Sequence, residues 1–262
     1  MSADVATAAA APRLALFDLD GTLLAGDTDV LWCEFLIDEG ALDPAFAEQC
    51  RAVAQQYDAG TVTPVDYCSF YAGTLAGLSQ AGLLPLRERF FRTRVRPRIP
   101  DDARTLLQAC RARGETLVLT TATNRVISEL TAADLGVDHY LCTELELVDG
   151  RYTGRPRGTL NMRSGKIDRL REWLRQSGLP EQLLREASFY TDSINDLALL
   201  SAVRKPIVVD PDSRLESTAL RKGWTVLRLD RPIKAAPEVP SMDLRAALPE
   251  VPRADERRAS GR

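Results

Sequence analysis

Histidine is almost absent: the chain of 262 residues has one, His139. A Ser-His-Asp hydrolase needs a histidine as its base, and a catalytic zinc site usually needs two or three. His139 lies in LGVDHYLCTELE, just before an apparent strand, where packing is its natural job. Hydrolysis, if the chain performs any, falls to carboxylates. Lysine is nearly as scarce, with four (Lys166, Lys205, Lys222, Lys234) among 34 basic residues. Five scattered cysteines never form a CxxC. They read as buried reduced thiols, and a cytoplasmic location is the expectation. No apolar run approaches the roughly 20 residues of a membrane helix. The opening MSADVATAAAAPR lacks a basic start and a greasy stretch, so it reads as a loose tail and not a secretory signal. Positive charge is not in excess either. A formal net charge of -3 makes neither nucleic acid nor an anionic membrane an expected partner.

What is present is ordinary globular material, 45% hydrophobic and 27% charged. Five short apolar runs read as buried strands: Arg13–Phe17, 116–120, 187–190, 206–209 and 225–229. Amphipathic stretches of helix length lie between them, at 101–113, 124–135 and 164–176, with Gly136 and Gly178 as stop signals. This alternation predicts an α/β fold with a doubly wound parallel sheet. Residues 29–97 break the rhythm. They hold no convincing strand and read as helices over 30–39, 44–57, 64–78 and 83–94. A small helical cap inserted after the first strand, over its carboxyl end, is the expectation. Alternating residues around Asp149-Gly150 predict a hairpin. The expected organisation is a tail over 1–12, a catalytic core over 13–28 and 98–230, the cap over 29–97, and a peripheral or partly disordered extension over 231–262.

The chemistry concentrates in LALFDLDGTLLAGDTD. Asp18 and Asp20 stand where a buried strand ends and the chain turns through Gly21 and Thr22. Open α/β sheets bind ligands at such strand ends. Residues two apart in extended chain point the same way, so one carboxylate can attack while the other handles protons. A phosphate monoester is itself anionic. Its attack by a carboxylate calls for a hard divalent cation, and Mg²⁺ calls for a further carboxylate from elsewhere. SFYTDSINDLALL offers Asp192 as that ligand, with Asn195 and Asp196 near a helix start, although plain helix capping by Ser193 or Asn195 competes. Two groups could hold phosphate. Thr121, at the tip of the second run, brings a hydroxyl beside the amide of Ala122. Lys166, in RSGK, brings a compact point charge. RSGK is not a phosphate-binding loop of the P-loop kind, because Gly158 is too far back and Ile167 replaces the required Ser or Thr.

These four segments resemble, in order, the four motifs of the haloacid dehalogenase superfamily: Asp18-Leu19-Asp20-Gly21-Thr22, then Thr121, then Lys166, then Asp192-Ser193-Ile194-Asn195-Asp196. The insert and the strings TATN, TELE, DGRYTG and YTDSINDLALL are similar to its phosphoserine-phosphatase-like branch, which includes histidinol-phosphate phosphatases. The resemblance implies a phosphomonoester hydrolase with Asp18 as nucleophile and Asp20 as acid and base. It implies Mg²⁺ on Asp18, the Asp20 carbonyl and Asp192. Thr121, the Ala122 amide and Lys166 would stabilise the phosphoryl group, Asn195 and Asp196 would support the metal and Lys166, and Gly26 would serve as a hinge. Asp27 stands nine residues after Asp18, where phosphoserine phosphatases carry a glutamate that meets the substrate ammonium. The stretch 64–73 lacks the arginine those enzymes use against the substrate carboxylate. The expected partner is therefore a small phosphorylated metabolite with an amine and no carboxylate, L-histidinol phosphate being one. Tyr67, Phe70, Tyr71 and Trp32 either offer its imidazole a stacking surface or pack the cap's own core. Phosphoserine phosphatase, phosphotransferase and a non-catalytic phosphate-binding protein stay open as alternatives. A receiver domain has no place for the insert.

Overall fold

The computed structural model describes residues 13–237, so the expected tail over 1–12 and the part of the extension beyond 237 lie outside the described residues. In chain order the elements are β1 (Arg13–Phe17), α1 (Thr28–Asp38), α2 (Phe46–Asp58), α3 (Pro64–Ala72), α4 (Gln80–Phe90), α5 (Asp101–Ala112) and β2 (Glu115–Asn124). There follow α6 (Arg125–Leu135), β3 (His139–Val148), β4 (Arg151–Arg157), α7 (Gly165–Gln176), α8 (Gln182–Glu186), β5 (Ser188–Thr191), α9 (Leu197–Ala202), β6 (Lys205–Val209), α10 (Ser213–Lys222) and β7 (Thr225–Leu227). One sheet has the order β4-β3-β2-β1-β5-β6-β7. Every pair in it is parallel except β3 with β4.

Alternation along β1 builds the two layers. Leu14 and Leu16 face a core closed by α7, α8, α9 and α10, through residues such as Leu170, Leu184, Leu199 and Leu215. Ala15 and Phe17 face the other core, with Leu107 of α5 and Ile127 of α6. A strand buried on both faces is apolar throughout, which is why RLALF carries no polar alternation. The doubly wound α/β sheet expected from the sequence is the fold observed.

Three departures matter for the site. β2 continues to Asn124, past the expected end at 120, with its register to β3 shifting after Thr120. Asn124, not Thr121, caps α6, and its side chain accepts from the Ile127 amide. Trp32, Phe35 and Phe90 of α1 and α4 share one core with Phe17 and Leu119, and α2 and α3 build a smaller cluster around Cys50, Tyr67 and Tyr71. The stretch 64–78 breaks at Ala72 into a short 3₁₀ turn, and α4 runs on into a π-helical turn over Phe91–Val95.

The hairpin is as expected. Asp149 and Gly150 both take positive φ, 49° and 73°, as a two-residue turn between twisted strands requires. It docks on the helical segment, where the Gly77 amide donates to Tyr152 O at 2.8 Å and the Tyr152 amide to Leu78 O at 3.0 Å. The extension drawn from 231 is exposed over 232–237, and its first residue is anchored to the core. Arg231 donates to the carbonyls of Thr22 and Leu24 at 2.7 and 3.0 Å and pairs with Asp210 at 2.6 Å, bracing the turn after β1 from below.

Candidate active site

Register brings the acidic groups together. Phe17 lies level with Leu119 of β2 and Tyr190 of β5, and the Asp18 amide donates to Tyr190 O at 2.9 Å. Asp18 and Asp192 therefore leave neighbouring strands at the same end. They line one cavity of about 370 Å³ with Asp20, Asp27, Ala122, Lys166, Asn195 and Asp196. This end of β1 is the sheet's switch point, since β2 follows on one side and β5 on the other.

Lys166 enters from the first turn of α7. Its ammonium is buried, 2.8 Å from Asp18 Oδ1 and 2.7 Å from Asp196 Oδ2. Burial pulls the Lys166 pKa down, but Asp18 and Asp196 outweigh it and hold the ammonium above its usual range. Asp196 is fixed by the Thr191 hydroxyl at 2.8 Å. Burial lifts the Asp18 carboxyl to about 7, against the pull of Lys166 and with a push from Asp196. Burial and then the Asp18 charge lift Asp192 to about 8. Thr22 holds Asp192 twice, donating to its Oδ1 at 2.9 Å and accepting from its amide at 3.0 Å. Gly21 leaves room for it: a Cβ at that position would stand 2.0 Å from Asp192 Oδ2.

Asp20 is cradled by residues the sequence reading did not single out. Its Oδ1 accepts from the Thr28 amide at 2.7 Å, and its Oδ2 from the Thr123 hydroxyl at 2.7 Å. Burial and the charge of Asp27 raise its carboxyl to about 6, while Thr123 and Thr28 pull it down. The Thr121 hydroxyl is buried, 3.5 Å from Asp20 Oδ2, and accepts from the Thr123 amide at 3.2 Å. It backs Asp20 here, and Ala122 and Thr123 are the residues of this strand end that line the cavity. Behind it the buried Asn161 amide donates to the carbonyls of Thr121 and Leu141 at 2.8 and 3.1 Å.

On the substrate side, Asp27 caps α1: its Oδ1 accepts from the amides of Asp29 and Val30 at 2.9 and 3.1 Å. Of the four aromatic residues that either stack on the substrate or pack the cap's core, Tyr67 lines the cavity. Trp32 packs edge-on against Phe90 and donates to Thr74, Phe70 stacks on Phe46, and Tyr71 is buried in the core of α2 and α3. Tyr57 and Arg163 line the cavity without having been expected, the guanidinium 4.3 Å above the Tyr57 ring. Gly26 lies at the rim with φ 143°.

Asp18 and Asp192 are the carboxylates on this cavity that could hold a metal ion. Among the described residues no three His, Cys, Asp or Glu side chains are grouped so as to hold one metal ion. Two carboxylates on one cavity, the charge of Asp18 raising Asp192, suit Mg²⁺, which binds through one or two carboxylates and keeps several waters.

Carboxylates and a buried lysine at the carboxyl ends of a doubly wound sheet make a hydrolase-type centre. A family model for haloacid dehalogenase-like hydrolases matches residues 15–201. A histidinol-phosphatase of Neisseria meningitidis serogroup C (strain 8013) is 36% identical over 217 residues, covering 82% of this chain and 98% of that protein. A solved protein of unknown function from Bordetella pertussis Tohama I superposes with a TM-score of 0.78 at 39% identity, over 82% of this chain and 98% of that one. A substrate-bound phosphoserine phosphatase shares the fold, with a TM-score of 0.61 at 16% identity over 82% of this chain and 92% of that one. The chain belongs to the haloacid dehalogenase-like hydrolase family.

Proposed function

We propose that this phosphatase hydrolyses a small amine-bearing phosphomonoester, L-histidinol phosphate before others, through an aspartyl-phosphate on Asp18 with Mg²⁺ as cofactor. The observation that carries the reading is the contact of Lys166 with Asp18 at 2.8 Å in a cavity shared with Asp20 and Asp192. Asp18, Asp192 and the Asp20 carbonyl would hold Mg²⁺, which when bound neutralises charge between nucleophile and phosphate.

An Asp18 carboxylate oxygen attacks phosphorus, and the phosphorus–oxygen bond to the alcohol breaks in line. Asp20, with a carboxyl raised to about 6, gives its proton to the departing alkoxide. Water then attacks the phosphorus and yields a proton to Asp20. The bond to Asp18 breaks and inorganic phosphate leaves. Lys166 and the Ala122 amide stabilise the transferring group, while Thr121, which sits behind Asp20 and off the cavity wall, backs the acid. Asn195 and Asp196 steady the metal side and Lys166. The helices over residues 29–97 act as a cap that excludes bulk water, with Gly26 as hinge.

The name of the meningococcal relative and the acid-lined cavity support an aminated substrate. A phosphoserine-type substrate needs a partner for its carboxylate. Arg163, the one arginine lining the cavity among the described residues, already donates to the Tyr57 hydroxyl at 3.0 Å and the Tyr57 carbonyl at 3.1 Å. Phosphate release from L-histidinol phosphate, phosphoserine and glycerol phosphate, with and without Mg²⁺, tests the reading. Mg²⁺-dependent preference for histidinol phosphate is the expected result, and preference for phosphoserine would overturn the substrate.

A further inference from the structure

We propose that Asp29 is the residue that selects a cationic nitrogen on the alcohol half of the substrate. The proposal rests on the phosphomonoesterase reading and adds to it the residue that reads the leaving group.

Asp29 sits in the first turn of α1 and lines the same cavity as Asp18 and Lys166. It is 8% exposed, and its Oδ1 is buried with no hydrogen-bond partner. An unpartnered buried carboxylate is among the costlier arrangements a fold can hold. Such a group at the wall of a binding cavity makes sense when a ligand supplies the missing partner. Asp27 has a different task. Its carboxylate accepts from the Asp29 amide at 2.9 Å, so it caps the helix and sets where Asp29 stands. The position nine residues after Asp18 thus orients the one eleven after it.

The surroundings favour a cation. Burial, then the charges of Asp27 and Asp20, hold the Asp29 carboxyl well above its usual range, so a positive group arriving there relieves an uncompensated site. No lysine or arginine pairs with Asp29 among the described residues. Burial and then the charges of Asp27 and Asp29 raise the Tyr67 hydroxyl, placing that ring's polar end in their field. Lys166 stands against Asp18 and Asp196, and Asp29 lines the same cavity among Asp27 and Asp20 with an acid oxygen unmatched, a pattern that fits a molecule carrying both a phosphate and a protonated amine.

The test compares wild type, Asp29→Asn, Asp29→Glu and Asp27→Asn. The first readout is the ratio of kcat/KM for L-histidinol phosphate to that for p-nitrophenyl phosphate, which carries no amine. The second is calorimetric binding of L-histidinol, which needs no turnover. Loss of a charge-assisted hydrogen bond predicts a fall of about 10- to 100-fold in both for Asp29→Asn, with partial recovery in Asp29→Glu. An unchanged ratio and unchanged histidinol affinity in Asp29→Asn would overturn the proposal. So would a parallel loss on both substrates with a lowered Tm, which marks a structural role, or a collapse of the ratio in Asp27→Asn alone. If wild type releases phosphate from neither ester, the phosphomonoesterase reading fails, and histidinol binding still decides the role of Asp29.

Discussion

At the scale of single residues, chemistry that constrains both residue type and spacing was legible. Asp18, Asp20 and Asp192 stand out from the sequence because an apolar run ending in an acid has few other uses, and Lys166 because lysine is scarce in this chain; the four share one cavity. Residues that hold those acids were harder to see, because any hydroxyl or amide can serve. Thr123 is the instructive case. It follows Thr121 by two, the spacing that puts both side chains on one side of an extended strand, and it makes the shorter bond to Asp20, 2.7 Å against 3.5 Å. Thr123→Val should lower kcat by about 10- to 100-fold with little change in KM, the loss expected for one bond to a charged group. Since Thr123 pulls the Asp20 carboxyl down, the limb of the pH–rate profile assigned to Asp20 should also move to higher pH. An unmoved profile with normal kcat would show that Thr123 does not act through Asp20. Asp27 and Asp29 could not be told apart by eye. Which of two acids caps a helix and which turns inward depends on where its first turn begins.

At the scale of elements, the buried strands were legible because a strand covered on both faces must be apolar along its length. The hairpin was legible because two adjacent positive φ values demand Asp-Gly chemistry. The continuation of β2 through TTATN was not, since a polar strand end facing a cavity looks like a loop. The brace at Arg231 was also hidden, because nothing local ties residue 231 to Thr22. Arg231→Ala removes two bonds to carbonyls of the turn after β1 and the pair with Asp210, and should lower stability by about 2 kcal/mol in denaturant titration. A loss below about 0.5 kcal/mol, the scatter of ordinary surface changes, would show that the brace is dispensable. Within that turn Gly21 has φ 69° and no space for a methyl group beside Asp192. Gly21→Ala should yield a folded protein whose Mg²⁺ affinity, read by calorimetry, is about 10- to 100-fold weaker. Wild-type affinity would show that Asp192 is not held by this approach.

At the scale of the whole molecule, the sheet gathers acids at one end, and this costs stability when no cation is bound. Burial first, and then neighbouring charges, raise Asp20, Asp18 and Asp192 to about 6, 7 and 8, above the carboxylate value of 3.8. Between those limits the folded chain binds more protons than the unfolded one, so stability falls as pH rises from about 4 to about 8. Lys166 works in the same direction only at alkaline pH. Its raised pKa gives stability that is present at neutral pH and lost above the ordinary lysine range. Chelator-treated protein should therefore melt at a lower temperature at pH 8 than at pH 5.5, and the reverse order would mean that these acids are not buried together. The central claim is that the Asp18 carboxylate forms a bond to phosphorus. Borohydride added during turnover reduces an acyl phosphate to an alcohol, so peptide mass spectrometry should find homoserine at position 18, dependent on Mg²⁺ and substrate and absent from Asp18→Asn. Steady phosphate release with Asp18 unmodified, or with the reduced residue at another carboxylate, would contradict the account.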